Sequence, residues 1–343
     1  MAETKGELPL VCVTGATGYI ASHVVRILLE RKTFRVRGTV RDLSNDARNG
    51  HLRALPGASE RLELVQADLL DDASLRAAMV GVKICIHTAS PFFNVTTDPE
   101  KDLLRPAVEG TKSTLAGCLA SGVEKVVLTS STASMIYAAR SGEHVLTESD
   151  WSDEAFMRER KLWYPLSKTL AERAAWAFVE EQKQCFSLTV MNPCLVCGPM
   201  LQPSMNTSSD VLLQHLDGRV QYIREGGFLW VDVTDVAEAH VLAAEQEEAT
   251  GRYLLLGDVT PWADFVGAVV SCKEVLPEAV RAKIPREVAP KELVDPNDRY
   301  SIKKKFCFDT TRAKELGVSF TPIPDSIRNH VRCPPFQKHL AAV

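Results

Sequence analysis

The chain has 343 residues, 45% of them hydrophobic, enough to bury a large core and to add a smaller lobe to a main domain. A formal net charge of -4 gives no electrostatic reason to expect nucleic acid, and Lys303-Lys304-Lys305 reads as a solvated edge. The first seven residues are polar, without the apolar centre of a signal peptide, and no run reaches the roughly eighteen apolar residues a membrane-crossing helix needs, so a cytoplasmic location is expected.

Nine cysteines, an odd and scattered set, sit partly inside apolar strand-like runs (Cys12, Cys85), which predicts buried thiols rather than a disulfide framework. Cys194 and Cys197 have zinc-type spacing, but no second pair stands near them and no metal is expected.

Residues 8–13 form a short apolar, β-branched run of the kind that makes a strand buried on both faces, and Thr14-Gly15 ends it. From Gly18 the period changes. Ile20, Val24, Ile27 and Leu28 recur at helical spacing, while Arg26, Glu30, Arg31 and Lys32 fall largely on the other side. Strand, glycine turn and helix make a dinucleotide seat: Gly15 takes the tight turn, Gly18 lets a phosphate approach, and small Ala21 lets the helix lie close to the strand. Glycines after a strand often serve only the turn, so the flanking elements and the repeating pattern that follows carry the reading.

Residues 34–40 read as a second strand ending at Arg41-Asp42, where a Rossmann sheet meets the adenosine ribose. An acid there suits a ribose 2′-hydroxyl, whereas a guanidinium suits a 2′-phosphate. Arg41 comes first and Arg48 follows in an expected loop, so NADPH is the expected cofactor, with Asp42 holding NAD as the alternative. Residues 62–67 make a third strand. It ends in Asp68, either an adenine contact or a turn carboxylate, and a helix over 74–80 follows. A fourth strand spans 84–90, with His87 as a core histidine; a helix spans 106–119 and a fifth strand 125–128. The alternation predicts an α/β fold, a doubly wound parallel Rossmann sheet, with a smaller C-terminal substrate lobe. The expected division is 1–199 for the cofactor domain, rejoined by 228–256, and 200–343 for the lobe, drawn from 200–225 and 258–343.

The fifth strand runs out in Thr129-Ser130-Ser131-Thr132, hydroxyls at the carboxyl edge of the sheet, where open α/β proteins bind ligands. Trp163-Tyr164-Pro165-Leu166-Ser167-Lys168 then opens a helix that places Tyr164 and Lys168 on one face. A free tyrosine, with a pKa of about 10, is a poor acid-base catalyst. A neighbouring ammonium stabilises the phenolate, and reaching a pKa of 7 or 8 takes about 3 to 4 kcal/mol.

Thr14-Gly15-x-x-Gly18-x-x-Ala21, Thr129-Ser130-Ser131 and Tyr164-x-x-Ser167-Lys168 together resemble the extended and atypical short-chain dehydrogenases/reductases. More narrowly they resemble the branch of dihydroflavonol reductase, cinnamoyl-CoA reductase and the aldehyde or ketone reductases. Arg37-Gly38-Thr39-Val40-Arg41-Asp42, Ala107-Val108-Glu109-Gly110-Thr111, Lys168-Thr169-Leu170-Ala171-Glu172, Asn192-Pro193 before Gly198-Pro199, and the run 231–240 add to the likeness. Gly251-Arg252-Tyr253 and 306–327 echo the family's C-terminal lobe.

The resemblance implies an NADPH-dependent carbonyl reductase, or the reverse alcohol dehydrogenase. Ser131 would hydrogen-bond the substrate carbonyl, Tyr164 donate the proton, and Lys168 hold the nicotinamide ribose and tune Tyr164. NADP contacts would come from Gly15, Thr17, Gly18, Tyr19 and Ile20, from Arg41 and Arg48 at the 2′-phosphate, and from Asp68 and Leu69 at the adenine. Thr88, Ala89, Ser90, Thr129, Tyr164, Lys168, Pro193, Val196 and Ser208 complete the implied set. A monomer or homodimer acting on a small molecule is expected. Ile136 stands where dihydroflavonol reductases carry asparagine, and Pro165-Leu166 departs from cinnamoyl-CoA reductases, so neither named substrate carries over. Phe92, Phe93, Ile136, Tyr137, Met200, Leu201 and Met205 suggest an apolar pocket for an aromatic or alkyl carbonyl compound. Two alternatives are a nucleotide-sugar epimerase or dehydratase, although Thr132-Ala133 stands where dehydratases carry Asp-Glu, and an NADP-sensing protein without turnover.

Overall fold

A computed structural model describes residues 8–90, 97–138, 144–183, 185–290 and 307–342. The first half alternates as the sequence pattern predicts: β1 (Leu10–Thr14), α1 (Tyr19–Arg31), β2 (Arg35–Val40), α2 (Asp46–Arg53), α3 (Ala58–Arg61), β3 (Leu62–Gln66), α4 (Asp72–Met79), β4 (Ile84–His87), α5 (Arg105–Ala120) and β5 (Lys125–Thr129). β6 (Val145–Leu146), α6 (Glu154–Glu159), α7 (Trp163–Glu181), β7 (Ser187–Pro193), β8 (Leu195–Cys197), α8 (Thr207–Asp217), β9 (Gly227–Asp232), α9 (Val233–Glu245) and β10 (Gly251–Leu255) follow. β11 (Asp258–Pro261), α10 (Trp262–Ser271), α11 (Glu278–Arg281), β12 (Cys307–Phe308), α12 (Thr311–Glu315), α13 (Ile323–Arg332) and α14 (Pro334–Leu340) close the described chain. Phe92, Phe93 and Lys303-Lys304-Lys305 lie outside the described residues.

Seven strands form the main sheet in the order β10-β7-β5-β4-β1-β2-β3, and every pairing from β7 through β3 is parallel. β1 and β5 are buried at every residue because helices cover both faces, whereas no residue of β3 at the edge is fully buried. The strand order reverses between β1 and β4, which pair Thr14 with His87 at their carboxyl ends, and a doubly wound sheet opens its ligand crevice there. The core below that crevice joins Cys12, Cys85, Val126, Val190, Leu115, Cys118, Ala175 and Phe186.

The chain divides into two compact units, 1–139 with 150–192 and 237–253, and 140–149 with 193–236 and 254–343. Of 228–256, the stretch expected to return to the main sheet, only β10 pairs there. β9 instead centres a three-stranded sheet, β11-β9-β8. In the second unit Phe228, Trp262 and Phe265 make an aromatic cluster, and the His215 ring stacks on Trp262 at 5.4 Å. At the end of β9, Asp232 accepts from Ser326 Oγ at 2.5 Å, and Asp235 accepts from the Thr321 amide and hydroxyl, tying 321–326 to α9 and β9. All nine cysteines are free. Cys12, Cys85, Cys118, Cys194, Cys197, Cys272 and Cys333 are buried, whereas Cys185 and Cys307 are half-buried.

Candidate active site

The glycine turn is built by main-chain accounting. Gly15 has φ +64°, a left-handed conformation that favours glycine, and a Cβ placed on it would lie 3.0 Å from Ala89 Cβ. Its N–H donates to Thr39 Oγ1 at 2.9 Å, and the Gly18 N–H donates back to the Gly15 carbonyl at 2.9 Å. Thr14 Oγ1 accepts from the Thr88 and Ala89 amides, both at 3.1 Å, so its own proton goes to His87 Nδ1 at 2.8 Å. That bond leaves the His87 proton on Nε2, and burial, helped by the charge of Lys168, lowers its pKa to about 3. His87 is therefore the core histidine its strand position predicts, and its bond orients Thr14, which holds Thr88-Ala89 across from Gly15.

A dinucleotide fits this turn. Gly18 is exposed, Thr17, Tyr19 and Ile20 are half-buried, and Gly18 gives the N-terminus of α1 no side-chain cap, a helix start that suits an anion. Beyond β2 both Arg41 and Arg48 are exposed. Arg48 lies not in a loop but in the first turn of α2, because the Asn45 side chain accepts its amide and starts the helix there. Asp42 is turned into its own loop. Its Oδ1 accepts from Ser44 Oγ at 2.6 Å and Ser44 N at 2.9 Å, and these bonds hold the carboxyl below its ordinary range. Asp68 takes the turn role, accepting the Leu70 amide at 2.9 Å, with Leu69 half-buried beside Gly110. Ser90 is exposed at the far lip.

At the end of β5 the hydroxyls divide into buried and half-buried ones. Thr129 Oγ1 pairs with His240 Nε2 at 2.7 Å, and Ser130 Oγ donates to Glu172 Oε2 at 2.5 Å, both buried. Ser131 is half-buried and starts a 3-10 turn over Thr132–Ser134, its Oγ accepting the Ala133 amide. That turn packs on α7. α7 tolerates Pro165 because a proline in the first helical turn removes an N–H that has no intrahelical partner anyway. Tyr164 and Lys168, one turn apart on it, are both half-buried. Burial lowers the Lys168 ammonium to about 8, against the opposing pull of Glu172.

Glu172, Arg252, Asn192 and Ser134 are polar residues of this region that sequence reasoning gave no role. A carboxylate four residues beyond Lys168, on the face that also carries apolar Ala175 and Val179, is the signal that points to them. In the second unit, Val196 is buried on β8, Pro193 ends β7, and Ser208 is half-buried in the first turn of α8. Met200 is buried core, while Leu201 and Met205 are half-buried. In the first unit Tyr137 packs against Leu104, Met157 and Leu166.

Residues 11–257 match the model of the NAD dependent epimerase/dehydratase family. The chain belongs to that family. It is 39% identical to a cinnamoyl-CoA reductase of Medicago truncatula over 94% of each chain, and 40% identical to cinnamoyl-CoA reductase 1 of Petunia hybrida over 99% of this chain and 96% of that one. Among solved structures, Gre2 from Candida albicans in complex with NADPH superposes with a TM-score of 0.79 at 32% identity, covering 96% of this chain and 99% of that one. This family member has the Rossmann fold and the reductase-branch likeness that its motifs imply.

Proposed function

We propose that this protein is an NADPH-dependent reductase of small carbonyl compounds, with the cofactor seated on the first unit. The supporting observation is that Ser131, at the end of β5, and Tyr164 and Lys168, on the helix that packs against the turn Ser131 starts, are all half-buried rather than sealed in the core. Relatives named as reductases, one solved with NADPH, support the same reading.

When bound, NADPH supplies the hydride. Ser131 Oγ hydrogen-bonds the substrate carbonyl oxygen and orients it. As the carbonyl carbon is reduced, its π electrons move to oxygen and the Tyr164 hydroxyl gives that oxygen its proton. The phenolate left behind is stabilised by the Lys168 ammonium, a charge desolvated enough to act strongly on its neighbour. Arg41 and Arg48 hold the 2′-phosphate, and the Gly15–Ile20 turn holds the pyrophosphate. The half-buried Ile136, next to the turn that Ser131 starts, favours an apolar or aromatic substrate.

NADPH consumption with a panel of aromatic and alkyl aldehydes, ketones and a cinnamoyl-CoA thioester tests the activity. Tyr164→Phe should lower turnover by about two orders of magnitude or more while NADPH still binds. Near-native turnover in that variant sinks the mechanism. Because Lys168 must carry its proton, reductive turnover should also fall as pH rises through about 8.

A further inference from the structure

Glu172 lies one turn beyond Lys168 on α7 and is only 1% exposed. A carboxylate in that position is costly unless every lone pair is used. Its Oε1 accepts from Arg252 Nε at 2.6 Å. Its Oε2 lies 2.5 Å from Ser130 Oγ, 2.6 Å from Ser134 Oγ and 2.9 Å from Asn192 Nδ2. These partners come from the residue after β5, from the 3-10 turn, from β7 and from β10. Arg252 reaches further, with Nη1 on the Asp150 carbonyl at 2.5 Å, Nη2 on Ser134 Oγ at 3.1 Å, and its guanidinium 4.0 Å from the Trp151 ring centroid.

Ser131 stands between the two serines held in this way. Its carbonyl accepts the Ser134 amide at 3.0 Å, and Asn192 Nδ2 lies 3.3 Å from it. One side chain thus joins the helix that carries Tyr164 and Lys168 to the turn that carries Ser131. We propose that Glu172, with Arg252 as its counter-ion, is a positioning residue for the reduction, fixing the register between Ser131 and the Tyr164/Lys168 face of α7. This rests on the roles given to those three residues above.

The charge of Glu172 has a second effect. It opposes the burial that draws the Lys168 proton away; of the other titratable groups near that ammonium, His87 of β4 is held neutral and the Tyr164 phenol stands one turn back on α7. An amide at position 172 would keep the shape and lose the charge, so Lys168 would give up its proton at lower pH.

The test is the pH profile of kcat for reduction, with NADPH and the best aldehyde of the panel saturating. Glu172→Gln should lower kcat about tenfold or more and move its alkaline limb down by about one pH unit. Glu172→Asp retains the charge and should leave the limb in place while kcat falls. If Glu172→Gln does not fold, the double variant E172Q/R252Q, which leaves no unpaired buried charge, carries the same expectation. An unmoved limb in the amide variant, or a limb that moves equally in the aspartate variant, overturns the inference. Tyr164→Phe run alongside separates the two failures: if it stays active the underlying reading is wrong, and if it is inactive while Glu172→Gln is native-like only this inference falls.

Discussion

Arg41 and Asp42 are sequence neighbours with opposite charges just past β2, at the end where a Rossmann sheet meets an adenosine ribose, and the structure treats them differently. Asp42 spends its carboxylate on Ser44, whereas the Arg41 and Arg48 side chains are exposed. Each charge-assisted contact to a 2′-phosphate is worth about 1.5 to 3 kcal/mol at best, and exposure lowers that through screening. The double change Arg41→Ala with Arg48→Ala should therefore weaken NADPH roughly ten- to a hundredfold and NADH little, as read by fluorescence titration. Raised salt should weaken NADPH more than NADH. If the unmodified protein binds both equally, the clamp is wrong and Asp42 becomes the ribose ligand.

At the level of elements, what could be read from sequence was whatever is dictated locally. β1 and β5 are short apolar runs because both of their faces are covered, and α7 is periodic because one side packs on the sheet, so type and rough extent follow from pattern. The Gly15 turn and the Tyr164/Lys168 pair share this legibility, since each is set by residues within one turn of each other. Sheet membership is not local. Residues 227–232 are strand-like by composition, but only tertiary pairing places them between β8 and β11 rather than in the main sheet. Arg252 is likewise 80 positions from Glu172, and no spacing rule connects them. Asp232 and Asp235 were visible as part of a motif, but their work is structural, tying down Ser326 and Thr321. Ser326→Ala should accordingly cost about 1 to 2 kcal/mol in urea unfolding of the second unit, by loss of one charge-assisted bond to a buried carboxylate. No change in the midpoint would show that the 2.5 Å contact contributes nothing net.

Over the whole molecule, each unit holds a buried neutral histidine. Burial lowers His87 to about 3 and His215 to about 4, the latter with Nδ1 donating to the Val211 carbonyl at 2.8 Å. Folded values below the unfolded value near 6.5 mean that the unfolded chain binds more protons. Stability is therefore fully present above about pH 6.5 and lost as pH falls toward 4, by on the order of a few kcal/mol. His215→Phe should keep the melting temperature at pH 7 and flatten its decline toward pH 4.5, and an unchanged decline would remove His215 from the account. The buried thiols have a practical consequence of their own. Burial raises Cys12 and Cys194 well above an ordinary thiol and Cys197 to about 12, so none offers a thiolate to a reagent while the chain is folded. Timed alkylation followed by intact mass should show Cys185 and Cys307 modified first and the other seven only when their surroundings open. Cys12, Cys85 and Cys118 belong to one unit and Cys194, Cys197, Cys272 and Cys333 to the other, so the order in which the mass steps appear dates the opening of each. The protein carries its own two-channel clock for unfolding, and no label has to be engineered to read it.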